Sequence, residues 1–525
     1  MILDSSSVDF GALPPPDVLI VGSGPVGLTL AAALEAHGLG VMIVEAGSQR
    51  PDQHLQDDLE ARFIGASLSG LTVGRTRQIG GGLNLWGGQL ALIEPADLCR
   101  NDEAAVLNWP IDVGQLYSCL PETLQLLGAD VHFDFNAPSI QHEIGRARSY
   151  GLNIIQTAWL RYPKLSRRFW TNLRDSNSTR LVYNLVCTGL EYDRRSNRVR
   201  GIAATSQSGR RVILRARETV LVAGSVENAR LLLLPTHDRE LPPWHRCQWL
   251  GGGFSEHIDA TTASVQILDR RRMAEIFDLF VHRGVKYSPK VVWSTASRSS
   301  HPISACGSLF WPGNFRNGLS ELYHLGKALV VQHEPALLSS LPKAIYASAK
   351  QLLPLAYRYA RQRRIGTFVD RKAYLRVSTE QPARTESRIT LAVNEPDRFG
   401  IPRPVVNWVR GREELANLRS FTFAVKSWLE GEGVGQLEID PRLAVNDTSF
   451  FDAADEGLHH AGTTRMGASM FDGVVDPQLR VHDVKGLSVC GASVFPSSGY
   501  ANPTLTAMVL AVRLSNRLVK EINAG

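Results

Sequence analysis

Residues 458–467 read LHHAGTTRMG, with His459 and His460 side by side. An imidazole titrates near neutrality, at about 6.5 when unperturbed, so either ring has the proton affinity of a general base. The residue types alone leave open which of the two acts. A second chemical position is Asn502-Pro503, in the run GYANPTLTAMVLAV. Asparagine at an N-cap with proline at the first helical position is a strong helix start. Apolar residues then recur at Leu505, Met508, Val509 and Val512 with helical spacing. The N-terminus of that helix carries partial positive charge, which would favour an anionic cofactor form set against it.

Such groups need an element that delivers a reactant to them, and the first fifty residues supply one. Residues 17–46 read DVLIVGSGPVGLTLAAALEAHGLGVMIVEA. A β-rich run, Val18 to Val21, leads into Gly22-x-Gly24-x-x-Gly27, an alanine- and leucine-rich helix, and a second β run, Val41 to Val44, closed by Glu45. In this βαβ order a pyrophosphate rests on a helix N-terminus. Gly22 makes the tight turn, Gly24 lets the backbone approach the phosphates, and Gly27 lets helix and strand pack closely. Glu45 is placed to accept from a ribose diol. A second cluster, RTRQIGGGLNLWGGQL (75–90), sets Gly80, Gly81, Gly82, Gly87 and Gly88 around Trp86. So many glycines allow a backbone to lie against a flat ring system, which favours a flavin over a nicotinamide.

Further along, 181–234 carries several β-rich runs with hairpin turns at SNR and SQSGR. Its last strand, Thr219 to Ala223, meets Gly224 and a helical pattern from Val226, which predicts a return to the first sheet. Residues 387–409 predict two strands joined by a turn at Asp397–Gly400, in a sheet that walls a substrate cavity. The stretch 339–366 reads as a helix broken by Pro354 with a basic end, packed as a surface helix. The length of 525 residues implies two or three domains.

Net charge is only +6, and 47 of the 57 basic residues are arginine rather than lysine, without a dense basic tract, so nucleic acid is not an expected partner. The six cysteines form no CxxC pair, so no metal site is expected and a reducing compartment fits. The first sixteen residues lack a charged n-region and an apolar h-region, and no apolar run reaches membrane-spanning length. A cytoplasmic protein without stable membrane insertion is the expectation.

These motifs together resemble the glucose–methanol–choline (GMC) oxidoreductases, FAD enzymes that oxidise alcohols, and in particular their pyranose 2-oxidase-like branch. The resemblance is carried by VGSGPVGLTLA with Glu45, IGGGLNLWGG, NWPIDVGQLY (108–117), LVAGSVENARLLL, and the run from LHHAGTTRMG to YANPTLT; residues 260–380 are only loosely similar. It implies an α/β FAD-binding Rossmann-like domain, discontinuous in sequence (1–110, 175–258 and 455–525). A substrate-binding α+β domain with a large antiparallel sheet (111–174 and 259–454) accompanies it. Matched residue by residue, the family's catalytic histidine, three residues before the glycine of a GT pair, is His459, and its partner is Asn502. His459 is then expected to face the flavin and His460 to point away. His257, in FSEHID, matches an interior position with a structural role. The resemblance also implies cofactor contacts from Gly22, Gly24, Pro25, Val26, Gly27, Glu45, Ala46, Arg77, Gly81, Gly82, Asn84, Trp86, Gly87 and Gly88. Later in the chain it adds Val186, Ala223, Gly224, Asn228, Gly491, Ala492, Asn502, Pro503 and Thr504.

In that chemistry a neutral His459 takes a hydroxyl proton, Asn502 fixes the hydroxyl, and the carbon-bound hydride passes to flavin N5. Leu85 stands where pyranose 2-oxidase-like members carry a flavin-tethering histidine, so the FAD is expected to be noncovalent. The expected substrate is a small-molecule alcohol (a sugar, aminosugar or other polyol), with oxygen or another acceptor taking the electrons. The competing readings are a non-redox lyase on the same fold, an NAD-dependent dehydrogenase, and a non-enzymatic surface role for the basic helix.

Overall fold

The computed structural model describes residues 1–66, 68–98, 108–129, 141–163, 165–236, 241–311, 342, 360 and 371–524. The 339–366 stretch therefore lies almost wholly outside the described residues. Two sheets organise the rest. The first has six parallel strands in the order Ile2–Asp4, Thr179–Tyr183, Val41–Val44, Val18–Val21, Glu218–Leu221, Leu487–Val489. All four residues of Val18–Val21 and of Val41–Val44 are buried. This explains why these strands read as continuous apolar runs instead of alternating ones: a parallel sheet is covered on both faces.

The helix Pro25–Glu35 follows the first fingerprint strand and packs against the final helix, Pro503–Ala524. Leu505, Met508, Val509 and Val512 are all buried there, so the period read from sequence is the face that seals the first core. A Cβ on Gly27 would sit 2.1 Å from the Gly22 carbonyl oxygen, so only glycine permits this helix to lie so close to the preceding turn. Glu218–Leu221 joins beside Val18–Val21 and leads into the helix Ser225–Leu233, the predicted return to the sheet.

The second sheet has nine strands, antiparallel throughout. Its main order is Gly435–Ile439, Ile258–Ile267, Lys372–Thr379, Ala305–Phe310, Val285–Trp293, Leu152–Trp159, Gln89–Leu90. Phe280–His282 and Asp455–Glu456 pair at its sides. The helix Arg412–Gly431 buries Leu415, Leu418, Phe421, Val425, Trp428 and Leu429 against it, which makes a second core. Elsewhere on the sheet Ile155, Val292 and Cys306 meet Ala91, Tyr500 and Ala501, so the loop ahead of the final helix is held by the antiparallel sheet.

Arg388–Pro396 and Pro402–Trp408 form the expected antiparallel hairpin, and it lies outside the large sheet. It pairs in parallel with Arg62–Gly65 as a separate three-stranded sheet. Its turn is tied to the Ser225–Leu233 helix by Arg230, whose guanidinium meets Asp397 at 2.8 Å and donates to the Pro402 and Ile401 carbonyls. A buried ion pair with saturated hydrogen bonding fixes the hairpin there.

Candidate active site

His459 owes its position to a mismatch between two chain segments. Residues 254–259 and 455–461 run antiparallel. Ser255 and Ala461 exchange backbone hydrogen bonds of 3.1 and 3.0 Å, while Ile258 pairs with Glu456. Between these two anchor points one segment has Glu256 and His257, and the other has Gly457, Leu458, His459 and His460. The longer side must bulge, and Leu458 turns through φ +62°. The His459 N–H released by the bulge points inward, and the Glu256 carboxylate accepts it at 2.7 and 2.9 Å. The same carboxylate accepts the His257 N–H at 2.7 Å. Glu256 is 1% exposed. Burial lifts its pKa to about 8, against the opposing pull of the His459 and His257 N–H groups.

The imidazoles meet above this carboxylate. His257 Nδ1 and His459 Nδ1 are 2.9 Å apart, with the rings nearly perpendicular. His460 stacks on Phe254, with its Nε2 3.4 Å from Glu256. Burial holds His459 well below the usual imidazole value, helped by its neighbours His257 and His460. Burial, and then Arg75, push His460 down to about 3. Burial lowers His257 as well, so at all three rings the shift favours the neutral imidazole.

The following GTTRM segment is fixed on both sides. Gly462, at φ +86°, crosses Gly253 so closely that a Cβ would lie 2.0 Å from its carbonyl oxygen. Thr463 donates its hydroxyl to the Ser225 carbonyl, and the backbones of Gly462, Thr464 and Met466 donate to Ala492, Ser493 and Val494. The run LHHAGTTRMG thus joins the head of the Ser225 helix, the 253–257 loop and the 491–494 turn.

A cleft of about 300 Å³ opens along this junction. Its wall includes Gly22, Gly24, Pro25, Val26, Glu45, Ala46, Arg77, Gly81, Gly82, Val186, Ala223, Gly224, Gly491, Ala492, Pro503 and Thr504, and both His459 and His460. His460 is among the residues lining the cleft, as His459 is, while its ring stacks on Phe254. Gly27 packs behind the wall. Asn84, Trp86, Gly87, Gly88, Asn228 and Asn502 do not line it. Asn84 donates to the Ile79 and Gly81 carbonyls and braces its own turn. Trp86 donates to the Pro163 carbonyl, Gly87 abuts Trp159 and Gly88 accepts from Leu160, so this half of the loop serves the antiparallel sheet. Asn228 accepts the Ala223 N–H and donates to Ser493. Asn502 is half-buried at the head of the final helix.

The residues present fit a dinucleotide. Added Cβ atoms at Gly24, Gly82 and Gly224 would meet nothing within 4 Å, so bare backbone faces open space where phosphates must approach. Glu45 accepts from the Ser23 N–H and hydroxyl on one oxygen and from the Gly47 N–H on the other, which holds it rigid with an acceptor position spare. Several wall residues were missed by sequence reasoning. Arg75, Glu227 and Arg230 form an ion-paired strip along the cleft. Burial alone would raise Glu227, but Arg230 and Arg75 outweigh it and hold it at about 2. Glu256 had one signal available, as the acidic neighbour of His257 in FSEHID.

With this geometry in hand, similarity to known proteins becomes informative. Residues 16–54 match an FAD binding domain and residues 383–511 match GMC oxidoreductase. Together these matches support membership of the GMC oxidoreductase family. A C-glycoside 3-oxidase of Microbacterium trichothecenolyticum is 31% identical over 140 residues, which is 26% of this chain and 25% of that protein. A second C-glycoside 3-oxidase, from Arthrobacter globiformis, is 45% identical over 70 residues, 13% of each chain. The chain therefore spans a quarter or less of these curated relatives. A formate oxidase structure superposes at a TM-score of 0.55 with 16% identity, covering 96% of this chain and 98% of that one, a likeness of fold. The N-terminal match supports FAD binding, and among the described residues no helix is long and apolar enough to cross a membrane.

Two glycines separate fold from cofactor. Gly24→Val places its side chain in open space and is expected to leave apoprotein thermal stability unchanged while abolishing flavin retention. Gly27→Ala drives a methyl into the Gly22 carbonyl and is expected to destabilise the apoprotein itself, by about 1–3 kcal/mol. Thermal melts of flavin-stripped protein, with flavin absorbance after desalting, distinguish the two.

Proposed function

We propose that this chain oxidises a secondary or primary alcohol carbon of a sugar, glycoside or comparable polyol, with FAD as redox cofactor and His459 as base. The observation that carries the reading is a neutral, desolvated imidazole on the wall of a dinucleotide-fitting cleft, its backbone clamped by a buried carboxyl group. Bound FAD would supply the acceptor for the hydride leaving the carbinol carbon. The protein's part is to hold the alcohol and take its hydroxyl proton on His459. In this reading Asn502, half-buried at the head of the final helix and off the cleft wall, would fix the hydroxyl through its amide, which does not compete for the proton. Carbohydrate substrates are favoured because both C-glycoside 3-oxidase relatives act on glycosides by name. The division into an FAD domain (1–110, 175–258, 455–525) and a substrate domain (111–174, 259–454) belongs to the same proposal.

Noncovalent FAD is part of this reading. Leu85 is 52% exposed, lies off the cleft wall and has no atom able to form a tether. The two cleft cysteines, Cys187 and Cys490, are each pushed up to about 12 by burial and stay as thiols. Acid precipitation of the yellow protein should leave all flavin in the supernatant; flavin that stays in the pellet would show a covalent bond.

Anaerobic flavin bleaching by a panel of glucose, methyl glucosides, aryl glycosides and simple alcohols tests the activity. His459→Ala should keep the yellow colour and lower the bleaching rate by roughly 10²–10⁴-fold. Bleaching of the variant at the wild-type rate would refute the base assignment. A base works only unprotonated, and burial with two imidazole neighbours lowers the affinity of His459 for protons. The bleaching rate should therefore hold as pH falls through 6.5 and drop only in more acid solution; a loss centred at 6.5 or above would contradict the depressed value.

A further inference from the structure

We propose that His257 is a positioning residue that fixes the tautomer of His459. The proposal rests on the reading of His459 as base and deepens it. Two neutral imidazoles joined Nδ1 to Nδ1 at 2.9 Å must divide their roles: one ring donates from Nδ1–H and the other accepts on a bare Nδ1. A neutral ring carries a single proton, so the donor's Nε2 is bare and the acceptor's Nε2 is protonated. The contact therefore locks the rings into opposite tautomers, and only one of the two assignments leaves His459 with a free Nε2 lone pair.

The surroundings of His257 choose between them. Its ring is 1% exposed, and its Nε2 has no well-formed hydrogen bond within the protein. The Gly499 backbone approaches the ring, an interaction that favours a proton on it. Asp259, Glu380 and Asp97 add negative potential from the adjoining strand, the 379–381 turn and the segment beside Ser497. Each favours a proton on this ring, and with Nδ1 taken up by His459, Nε2 is the nitrogen left to carry it. His257 Nδ1 is then the acceptor, His459 Nδ1–H is the donor, and His459 keeps Nε2 for the alcohol proton. Of the groups facing His459 from its own segment and from the 253–257 loop, His460 and Glu256 make no contact with its Nδ1 among those described, which leaves His257 as its partner. The backbone bonds to Glu256 fix where the ring stands, and His257 fixes which nitrogen is bare.

Nitrogen-15 magic-angle-spinning spectra of holoprotein labelled at the histidine ring nitrogens report the tautomer directly, with His459→Ala identifying the signals. Wild type should show His459 protonated at Nδ1 and bare at Nε2. His257→Asn retains an acceptor oxygen near the place of Nδ1 and should keep that pattern. His257→Leu fills the space without an acceptor and should give mixed tautomers. Protonated Nε2 in wild type, or an unchanged His459 in folded, yellow His257→Leu, would overturn the proposal. Bleaching by a substrate from the panel gives the kinetic arm. His257→Leu should slow reduction by about 10–10²-fold with little change in KM, and His257→Asn should restore most of it. If His459→Ala bleaches normally, the base reading fails while the spectra still judge the tautomer; if only His257→Leu is normal in both measurements, this inference fails alone.

Discussion

The site depends on one buried carboxyl group. Two antiparallel segments of unequal length can stay paired at both ends only if the longer one bulges, and a bulge inside a protein leaves backbone N–H groups without ladder partners. Glu256 fills that deficit by accepting the N–H of His459 and of His257. Removing it would leave two buried donors unsatisfied, each at a cost of roughly 1–3 kcal/mol. Holding it in place orients the two histidines whose rings meet. The loop conformation and the ring contact are thus one constraint: the carboxyl group satisfies the backbone of both residues, and this brings their side chains together.

Electrostatics around the cleft follow a division of labour. The arginines on its wall are already committed: Arg75 to Glu227, Arg77 to Asp58, and Arg230 to both Glu227 and Asp397. Such pairs keep their geometry because breaking either partner strands a buried charge. A dinucleotide's phosphates would then be left to the open backbone at Gly24 and the N-terminus of the Pro25–Glu35 helix, where the macrodipole and free N–H groups coincide. The arginine strip works on the histidines from the other side, with Arg75 helping to keep His460 unprotonated.

What could be read in the sequence was local. The Gly22-x-Gly24-x-x-Gly27 turn with its flanking strands, the return at Glu218–Leu221 and the buried face of the final helix each follow from short-range patterns, and each has its element in the structure. The pairing of His257 with His459 spans 202 residues and leaves no local periodicity, so only folding brings it to light. Neither His460 nor the 86–88 turn could be placed from residue type. A histidine on a bulge faces wherever the excess chain sends it, and a glycine-rich loop serves a ring system or a neighbouring strand equally well. The Arg388–Trp408 hairpin shows the same limit. Its strands and turn are legible, but its pairing with Arg62–Gly65 and its Arg230–Asp397 tie both join residues far apart in sequence.

Burial sets the terms on which an imidazole can act here. A desolvated ring is a poorer proton acceptor than one in water, yet it is always neutral at working pH and does not need to shed water before it meets a hydroxyl. The loss in proton affinity has to be met by orientation, because a weak base contributes only when its lone pair already points along the bond that breaks. Orientation of that kind requires a fixed backbone, a fixed ring and a fixed tautomer. The Glu256 carboxyl supplies the first, and the packing of Gly457 against both His257 and the His459 ring supplies the second, since a Cβ there would lie within 3.0 Å of either. Among the described residues, the ring contact between His257 and His459 has the geometry to supply the third.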